Sequence, residues 1–173
     1  MVADNHVIEV QRAIAAPAEV LFAIVVNPAA HAVIDGSAMV QGTHTPEVIT
    51  GVGQTFISTM HRMGRDYEMI NHVVEFELNR HLAWAPAPGD IDTAGGNPEK
   101  IGVPAGYLWG YKFEPQREHQ TLVTEYFDCG PGDNAWITND GGTWIQGSQC
   151  IATSMEKTLE LLEVTARRAQ TLS

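Results

Sequence analysis

Cysteine is scarce in this 173-residue chain, which contains Cys129 and Cys150 and no others. Neither belongs to a CxxC motif, so the sequence argues against a disulfide framework and against a cysteine-rich zinc site. Two isolated cysteines are typical of a cytosolic protein in which the thiols stay reduced and partly buried. We therefore expect a cytoplasmic protein.

Positive charge is also scarce. Ten Lys and Arg residues face 21 Asp and Glu residues, and the formal net charge is -11. Nucleic-acid surfaces need clustered Lys and Arg, so this balance argues against a nucleic-acid partner and against docking on an anionic membrane. No stretch approaches the length of a membrane span, and the start, MVADNHVIEV, has no basic region and no long apolar run. We expect neither membrane insertion nor a signal peptide.

Motifs for metal or nucleotide chemistry are missing as well. The seven histidines, at positions 6, 31, 44, 61, 72, 81 and 119, show no HxH, HxxxH or HExxH spacing. Gly51-Val52-Gly53 is half of a dinucleotide fingerprint, but it lacks the third glycine and opens a strand rather than a helix. Neither GxSxG nor GxxxxGK[ST] occurs. We expect no metal and no cofactor.

The hydrophobic pattern that is present predicts an α+β fold. Residues 6–14 alternate as a strand does, Pro17 suits the first position of a helix, and a short second helix is predicted over Pro28–Ile34. A period of two then recurs, with turns at Met63-Gly64 and Asn79-Arg80. The strands predicted in this region cover residues 56–61, 67–78, 81–85, 107–115 and 121–129, with a possible further strand after Gly36.

A long amphipathic helix is predicted at the end of the chain, from about Ser148 to Leu172. Ser148 and Thr153 are alternative caps for its start. Its apolar stripe consists of Ile151, Met155, Leu159, Leu162 and Ala166, and Glu163 and Arg167 form an i,i+4 pair on the outer side. Tight turns between strands favour an antiparallel sheet, and we expect that sheet to curve around the long helix in one domain over residues 1–173.

Two Gly-rich segments without periodicity interrupt this pattern, at residues 86–106 and 130–147. Long loops inside a compact domain are often functional. The second segment contains Trp136, Ile137 and Trp144, and such large apolar groups are expected to cover something. We interpret both segments as lids over a site, or the second as an interface with a partner.

His31 and Asp35 lie four residues apart on the short second helix, the spacing of a catalytic pair. No Ser, Cys or Thr nucleophile accompanies them in a motif. Asp35-Gly36 is also a strong turn signal, in which Gly36 supplies a positive φ and the Asp35 carboxylate accepts from nearby backbone N–H groups. We favour the turn.

A resemblance to a known family is carried by the stretches IAAPAEVLFAIVVNPAAHAVIDGS (14–37), GVGQTF (51–56), YEMINHVVEFELNRHLAW (67–84), GYLWGYKFEP (106–115) and TLVTEYFDC (121–129). Together they resemble the SRPBCC superfamily, the helix-grip fold shared by START lipid-transfer domains, polyketide cyclases/aromatases and the major birch-pollen allergen. The chain looks most like the bacterial polyketide cyclase/dehydrase and lipid-transport-like subgroup. The resemblance implies a large apolar cavity and no obligatory cofactor, on a scaffold that serves carriers, sensors and enzymes.

Strand parity then groups many aromatic and Met side chains on one face of the predicted sheet. A mostly apolar face with a few polar groups is the lining expected of a ligand pocket, although a plain core gives the same pattern. The residues predicted to bind a ligand are Phe56, Met60, Tyr67, Met69, Asn71, Trp84, Trp109, Tyr111, Val123, Glu125 and Phe127 from the sheet, with Met155 and Leu159 from the helix.

Glu125 is the sharpest candidate on this face, because it alternates with Val123 and Phe127. A carboxyl group on an apolar face must be paired or have a raised pKa. Its partner could be Arg12 or Arg62, or the hydroxyl of Tyr67 or Tyr111. Glu125 and Tyr111 are candidates for catalysis, and the alternatives are a structural ion pair or a one-residue register shift that turns Glu125 to solvent.

Three functions remain open from the sequence. The first is binding of a small to medium hydrophobic ligand, such as a lipid, a polyketide or another ring compound, by a monomer or homodimer. The second is a cyclase/aromatase-type enzyme in which Glu125 and a Tyr transfer protons. The third is a protein-interaction subunit that uses the apolar residues of the 130–147 segment.

Overall fold

The computed structural model describes residues 7–130 and 144–173, and in the second range the side chains from residue 147 onward. Seven strands form one antiparallel sheet in the spatial order β1-β7-β6-β5-β4-β3-β2. The strands are β1 (Val7–Ile14), β2 (Val40–Thr43), β3 (Thr55–Arg62), β4 (Arg65–Glu77), β5 (His81–Pro88), β6 (Leu108–Arg117) and β7 (Gln120–Asp128).

The predicted helices occur in the predicted order, and one further 3-10 turn lies inside the segment 86–106, where none was predicted. Helix α1 covers Ala18–Val25, a 3-10 turn covers Pro28–Ala30, α2 covers His31–Ile34, a second 3-10 turn covers Pro98–Lys100, and α3 covers Trp144–Thr171. The sheet curls into a half-barrel, and α3 packs on β1, β7, α1 and α2. This confirms the predicted α+β helix-grip architecture, with two short helices after the first strand. No helix in the described ranges combines the length and apolar character needed to cross a bilayer.

Turn chemistry fixes the hairpin between β3 and β4. Met63 and Gly64 both have positive φ, at 52° and 77°. Two consecutive residues of this kind match the right-handed twist of the flanking strands, as in a type I′ turn. The turn therefore sets the register, in which Met60 lies opposite Tyr67 and Ser58 lies opposite Met69.

Strand β5 is longer than predicted, because it continues through two prolines to Pro88. The carbonyl oxygens of Pro86 and Pro88 accept from Ala105 and Gly102 in the following loop, on the side away from β4. The pairing of β5 with β6 ends at Trp84. Proline has no backbone N–H to donate. At these two positions neither neighbouring strand needs such a donor, so the sheet tolerates the prolines.

The long helix α3 begins before the predicted start. Its first residue is Trp144, so both predicted caps, Ser148 and Thr153, lie inside the helix. Four of the five predicted stripe residues are buried, namely Met155, Leu159, Leu162 and Ala166, and Ile151 is half-buried. The prediction of the buried face was therefore correct, and the prediction of the helix start was wrong.

The turn after α2 differs in detail from the prediction. Asp35 accepts hydrogen bonds from the backbone N–H groups of Ser37 and Val40, as expected for a turn. The positive φ occurs at Ala38 (57°) rather than at Gly36. Gly36 is needed for a close approach instead, since a Cβ atom there would lie 2.1 Å from the backbone oxygen of Ser154 in α3.

Candidate functional site

Glu125 lies in β7, between β1 and β6, directly opposite Val10 on one side and Tyr111 on the other. Its neighbours on the same face, Val123 and Phe127, are fully buried, and Glu125 itself is 5% exposed. The carboxyl group therefore faces the interior between the sheet and α3. The register shift that would have turned it to solvent does not occur.

Among the described residues, one oxygen of this carboxyl group has a hydrogen-bond partner and the other has none. The Tyr111 hydroxyl donates to Oε1 over 3.0 Å. Oε2 is buried and has no hydrogen-bond partner among the residues that the structure describes. Arg12, an alternative partner considered from the sequence, instead forms an ion pair with Glu163 of α3 at 2.7 Å.

Burial raises the pKa of Glu125 to about 8. The hydrogen bond from Tyr111 lowers this pKa by a smaller amount, and the negative charge of Asp35 raises it slightly. Burial and the Glu125 charge together raise the pKa of Tyr111 well above its ordinary value. Glu125 is thus a neutral carboxylic acid at neutral pH, hydrogen-bonded to a neutral phenol.

Two hydrophobic clusters meet at Glu125. One contains Val123, Tyr111 and Leu159, together with residues of α1 and α2. The other contains Phe127, Met155 and the half-buried Trp109. Because Glu125 lies between Val123 and Phe127, the carboxyl group marks the boundary between the two clusters.

Aromatic rings line the face on both sides of this boundary. The Trp84 ring stacks on His31 at 5.6 Å and meets Phe56 edge-on at 5.4 Å. The Trp109 ring lies 4.4 Å from Phe127. The face is therefore built largely from ring surfaces, which give a hydrophobic ligand extensive contact area.

The strand registers bring the predicted strand residues to a single face. Met60 is opposite Tyr67, Phe56 is opposite Asn71, and Trp84 is opposite Trp109. The set divides by exposure: Phe56, Asn71, Tyr111, Val123, Glu125, Phe127, Met155 and Leu159 are buried, whereas Met60, Tyr67, Met69, Trp84 and Trp109 are half-buried. The half-buried members are the ones with surface left to contact a ligand.

Asn71 is engaged within the sheet. Its amide nitrogen is 3.0 Å from Ser58 Oγ and 3.3 Å from the carbonyl oxygen of Phe56. These contacts satisfy the donor groups of a buried amide. The amide N–H groups of Asn71 therefore bind neighbouring strand residues.

His31 and Asp35 bind different partners. The buried His31 ring lies 2.7 Å from the Val25 carbonyl oxygen through Nε2, and burial lowers its pKa. Asp35 binds backbone N–H groups and the Ser37 hydroxyl. This supports the turn interpretation of the pair, in which His31 anchors α2 between the end of α1 and Trp84.

Two residues at the site were not among those predicted to bind a ligand, although Ile151 was predicted as part of the apolar stripe of the long helix. Tyr107 packs on Phe127 with ring centroids 5.4 Å apart, and burial raises its pKa to about 12, with a smaller contribution from Tyr67. Ile151 packs against the cluster of Phe127. Strand parity could have found Tyr107, since it precedes Trp109 and Tyr111 at intervals of two.

The opposite face of the sheet is polar. It bears an open groove of about 550 Å³ lined by charged groups that include Glu9, Glu75, Lys112 and Asp128. In this groove the His81 ring and the Tyr126 hydroxyl are 2.8 Å apart. Charged, exposed walls do not suit a hydrophobic ligand, so this groove does not compete with the Glu125 face for that role.

Two predicted features remain outside the described structure. Trp136 and Ile137 lie in the undescribed segment, and the side chain of Trp144 is also undescribed. The prediction that 130–147 is a lid or an interface therefore stays a prediction. In the described ranges, no group of three or more His, Cys, Asp or Glu residues is placed to hold a metal ion.

Comparison with known sequences identifies relatives without a described activity. No family model matches the chain. It is 31% identical over 115 residues to the uncharacterized protein Rv0088 of Mycobacterium tuberculosis. The aligned residues cover 66% of this chain and 44% of that protein. The chain thus spans less than half the length of the curated relatives it matches.

Comparison with solved structures shows the fold. The Polyketide_cyc-like protein Cgl2372 of Corynebacterium glutamicum aligns with a TM-score of 0.55 at 18% identity, over 96% of this chain and 92% of that one. Major latex-like protein 151 of Panax ginseng aligns with a TM-score of 0.59 at 13% identity, over 92% and 96%. Protein NE0264 of Nitrosomonas europaea reaches 0.67 at 12% identity, over 98% and 99%. These TM-scores establish a shared architecture. At identities this low, the activity of one protein cannot be transferred to another.

Proposed function

We propose that the chain, which has the helix-grip fold shared by proteins of the SRPBCC superfamily, binds a small to medium hydrophobic molecule between the concave face of the sheet and α3. A lipid, a polyketide or another ring compound fits this description. The observation that carries the proposal is the Glu125 carboxyl group on an apolar, aromatic face, because its buried Oε2 has no hydrogen-bond partner in the described part of the chain. A single polar anchor within an apolar lining is typical of small-molecule sites.

The half-buried residues supply the proposed contact surface. Trp84 and Trp109 offer large rigid rings, and Met60 and Met69 offer flexible side chains that adapt to ligands of different shape. Tyr67 combines a ring with a hydroxyl group. Affinity would come from these surfaces, and Glu125 would orient the ligand.

Native mass spectrometry of the freshly purified protein is the first test. We expect a mass above that measured under denaturing conditions, because a ligand acquired in the cell would remain bound in the folded protein. The difference gives the mass of that ligand. A bare protein after gentle purification would argue against a carrier that retains its ligand.

Substitution of Trp109 tests the proposed lining. We expect Trp109→Ala to weaken binding of the uncharged fluorescent probe N-phenyl-1-naphthylamine by about tenfold or more, because a ring contributes roughly 1.5–3 kcal/mol when buried. Leu108→Ala is the matched control, since Leu108 is the preceding residue and lines the groove on the opposite face. Equal affinities for the two variants would show that the lining is wrong.

A second candidate function is supported by the Glu125–Tyr111 pair. A carboxyl group with a pKa of about 8, bonded to a phenol, can act as a general acid near neutral pH. The same site would then serve a cyclase/aromatase-type enzyme. Turnover of a polyketide substrate with a rate that titrates near pH 8 and is abolished by Glu125→Gln would favour this enzyme, whereas a carrier would show a change in affinity alone.

A further inference from the structure

We propose that Glu125 donates a hydrogen bond through Oε2 to an uncharged oxygen of the ligand, so that the site selects ring compounds bearing a ketone or similar carbonyl group over carboxylates. This inference rests on the proposed function and specifies the ligand class for the same site. It assigns Glu125 a proton that stays on the protein throughout binding.

The hydrogen-bond pattern determines which oxygen is free to donate. Tyr111 donates to Oε1, so Oε1 acts as an acceptor in that contact. The proton of the neutral acid then belongs on Oε2, which has no partner among the described residues. A buried donor without an acceptor costs free energy that a ligand acceptor would recover.

The surroundings of Glu125 disfavour an anionic ligand. Val10 of β1 and Tyr111 of β6 lie opposite Glu125. Leu159 and Met155 of α3 belong to the apolar clusters of its neighbours Val123 and Phe127. In this described part, the titratable groups that act on the Glu125 pKa are Tyr111 and Asp35, and neither is a cation. Beside Glu125, a ligand carboxylate would thus meet apolar surface and no cation among the described residues, and the charge of Asp35 would disfavour it further.

The protonation state supports the same assignment. Burial holds the pKa of Glu125 near 8, so the acid is neutral and able to donate at neutral pH. Above that pH the carboxylate can only accept. Affinity for a carbonyl ligand should therefore fall as pH rises through about 8.

Three probes with one ring system test the selectivity. They are 2-acetylnaphthalene, 2-ethylnaphthalene and 2-naphthoate, which present a ketone, a hydrocarbon and a carboxylate. At about pH 6.5 we expect calorimetric titration to show the ketone binding about threefold to tenfold more tightly than the hydrocarbon, as one neutral hydrogen bond predicts. The carboxylate should bind at least about tenfold more weakly than the ketone.

Two substitutions of Glu125 separate the donor from the charge. Glu125→Gln keeps an N–H donor at the position of Oε2, because the amide oxygen takes the hydrogen bond from Tyr111. It should retain the ketone preference and lose the pH dependence. Glu125→Leu has no donor and should bind ketone and hydrocarbon equally, with its folding checked by circular dichroism.

The carbonyl stretch of 13C-labelled 2-acetylnaphthalene reports the bond directly. We expect a shift to lower frequency in the natural protein and in Glu125→Gln, relative to the ketone in a hydrocarbon solvent. Tighter binding of naphthoate, or equal binding of all three probes, would overturn the donor assignment while leaving the apolar site intact. Failure of all three to bind would contradict the proposed function itself, and the donor assignment with it.

Discussion

The Glu125 side chain costs the protein stability at neutral pH. Its pKa is about 8 in the folded protein against an ordinary value of 4.5. Between these values the folded state keeps a proton that the unfolded state has released, so the free energy of unfolding falls as pH rises through this window. The full shift corresponds to roughly 5 kcal/mol, reached above the folded pKa.

Glu125→Gln should therefore stabilise the protein at neutral pH. The amide imitates the neutral acid and has no charge to gain. The free energy of unfolding of the variant should therefore exceed that of the natural protein by about 3 kcal/mol at about pH 7 and equal it near about pH 4. Urea unfolding across this range measures the difference. Glu114→Gln, at an exposed position of β6, is the control and should change little. A natural protein whose stability rises from pH 5 to 8 would contradict the raised pKa.

Tyr111→Phe should shift the same titration upward. The Tyr111 hydroxyl donates to Oε1 and lowers the pKa of Glu125, so removing the hydroxyl should move that pKa above about 8. Infrared difference spectra between Tyr111→Phe and the double variant with Glu125→Gln isolate the carboxyl band for a pH titration. The corresponding difference between the natural protein and Glu125→Gln gives the reference. An unchanged or lowered pKa would mean that Tyr111 does not stabilise the carboxylate.

The contact between α2 and α3 depends on Gly36. Its backbone N–H donates to the Thr158 hydroxyl over 3.0 Å, and a Cβ atom would lie 2.1 Å from the Ser154 oxygen and 2.6 Å from the Thr158 nitrogen. Both obstacles are backbone atoms of a helix, which cannot move aside as a side chain can. The helix would have to shift away from α2.

We expect Gly36→Ala to lower the free energy of unfolding by more than about 2 kcal/mol, in the upper part of the range for overpacking. Chemical denaturation measures the loss. Gly51→Ala is the matched control, because a Cβ atom at Gly51 meets nothing within 4 Å. Similar stabilities for the two variants would show that α3 does not approach Gly36 this closely.

Element types were predictable from the sequence because the sheet buries one face. Alternation along β7 placed Val123, Glu125 and Phe127 together, and all three are buried.

Helix ends were less predictable, since a Ser or Thr hydroxyl that caps a helix can also bond back within one. Ser154 and Thr158 both donate to a carbonyl oxygen four residues earlier. A capping pattern therefore does not mark the start of α3.

The partners of Glu125 could not be predicted because they depend on strand pairing. The sequence allowed Arg12, Arg62, Tyr67 or Tyr111, and the register of β6 on β7 selects Tyr111. Arg12 lies on β1 and reaches Glu163 of α3 instead. Tyr111 and Glu125 are 14 positions apart, and Arg12 and Glu163 are 151 apart. Both contacts depend on how the strands and α3 pack, which no local pattern encodes.

At the scale of the whole molecule, the sheet separates two environments. The face toward α3 carries aromatic rings and the neutral acid Glu125, whereas the opposite face carries exposed charges such as Glu75 and Lys112. The two clusters that meet at Glu125 bury different parts of α3, with Leu159 in one and Met155 in the other. A ligand beside Glu125 would thus contact both clusters and the helix together, so binding should stabilise the whole fold.

The net charge of -11 predicts how the whole protein responds to salt. Like charges repel one another in the compact state, and salt screens that repulsion. We expect the Tm at neutral pH to rise by about 3 °C or more between about 10 mM and about 500 mM NaCl. A gain of roughly one or two kcal/mol in the free energy of unfolding would give a rise of this size. Glu118 is 91% exposed, so Glu118→Lys should raise the Tm at low salt and reduce the rise of the Tm with salt. Glu125→Gln is the control. Its Tm should rise with salt as that of the natural protein does, because Glu125 is already neutral in the folded protein. A Tm that falls with salt would mean that surface ion pairs such as Arg65–Asp90 outweigh the repulsion.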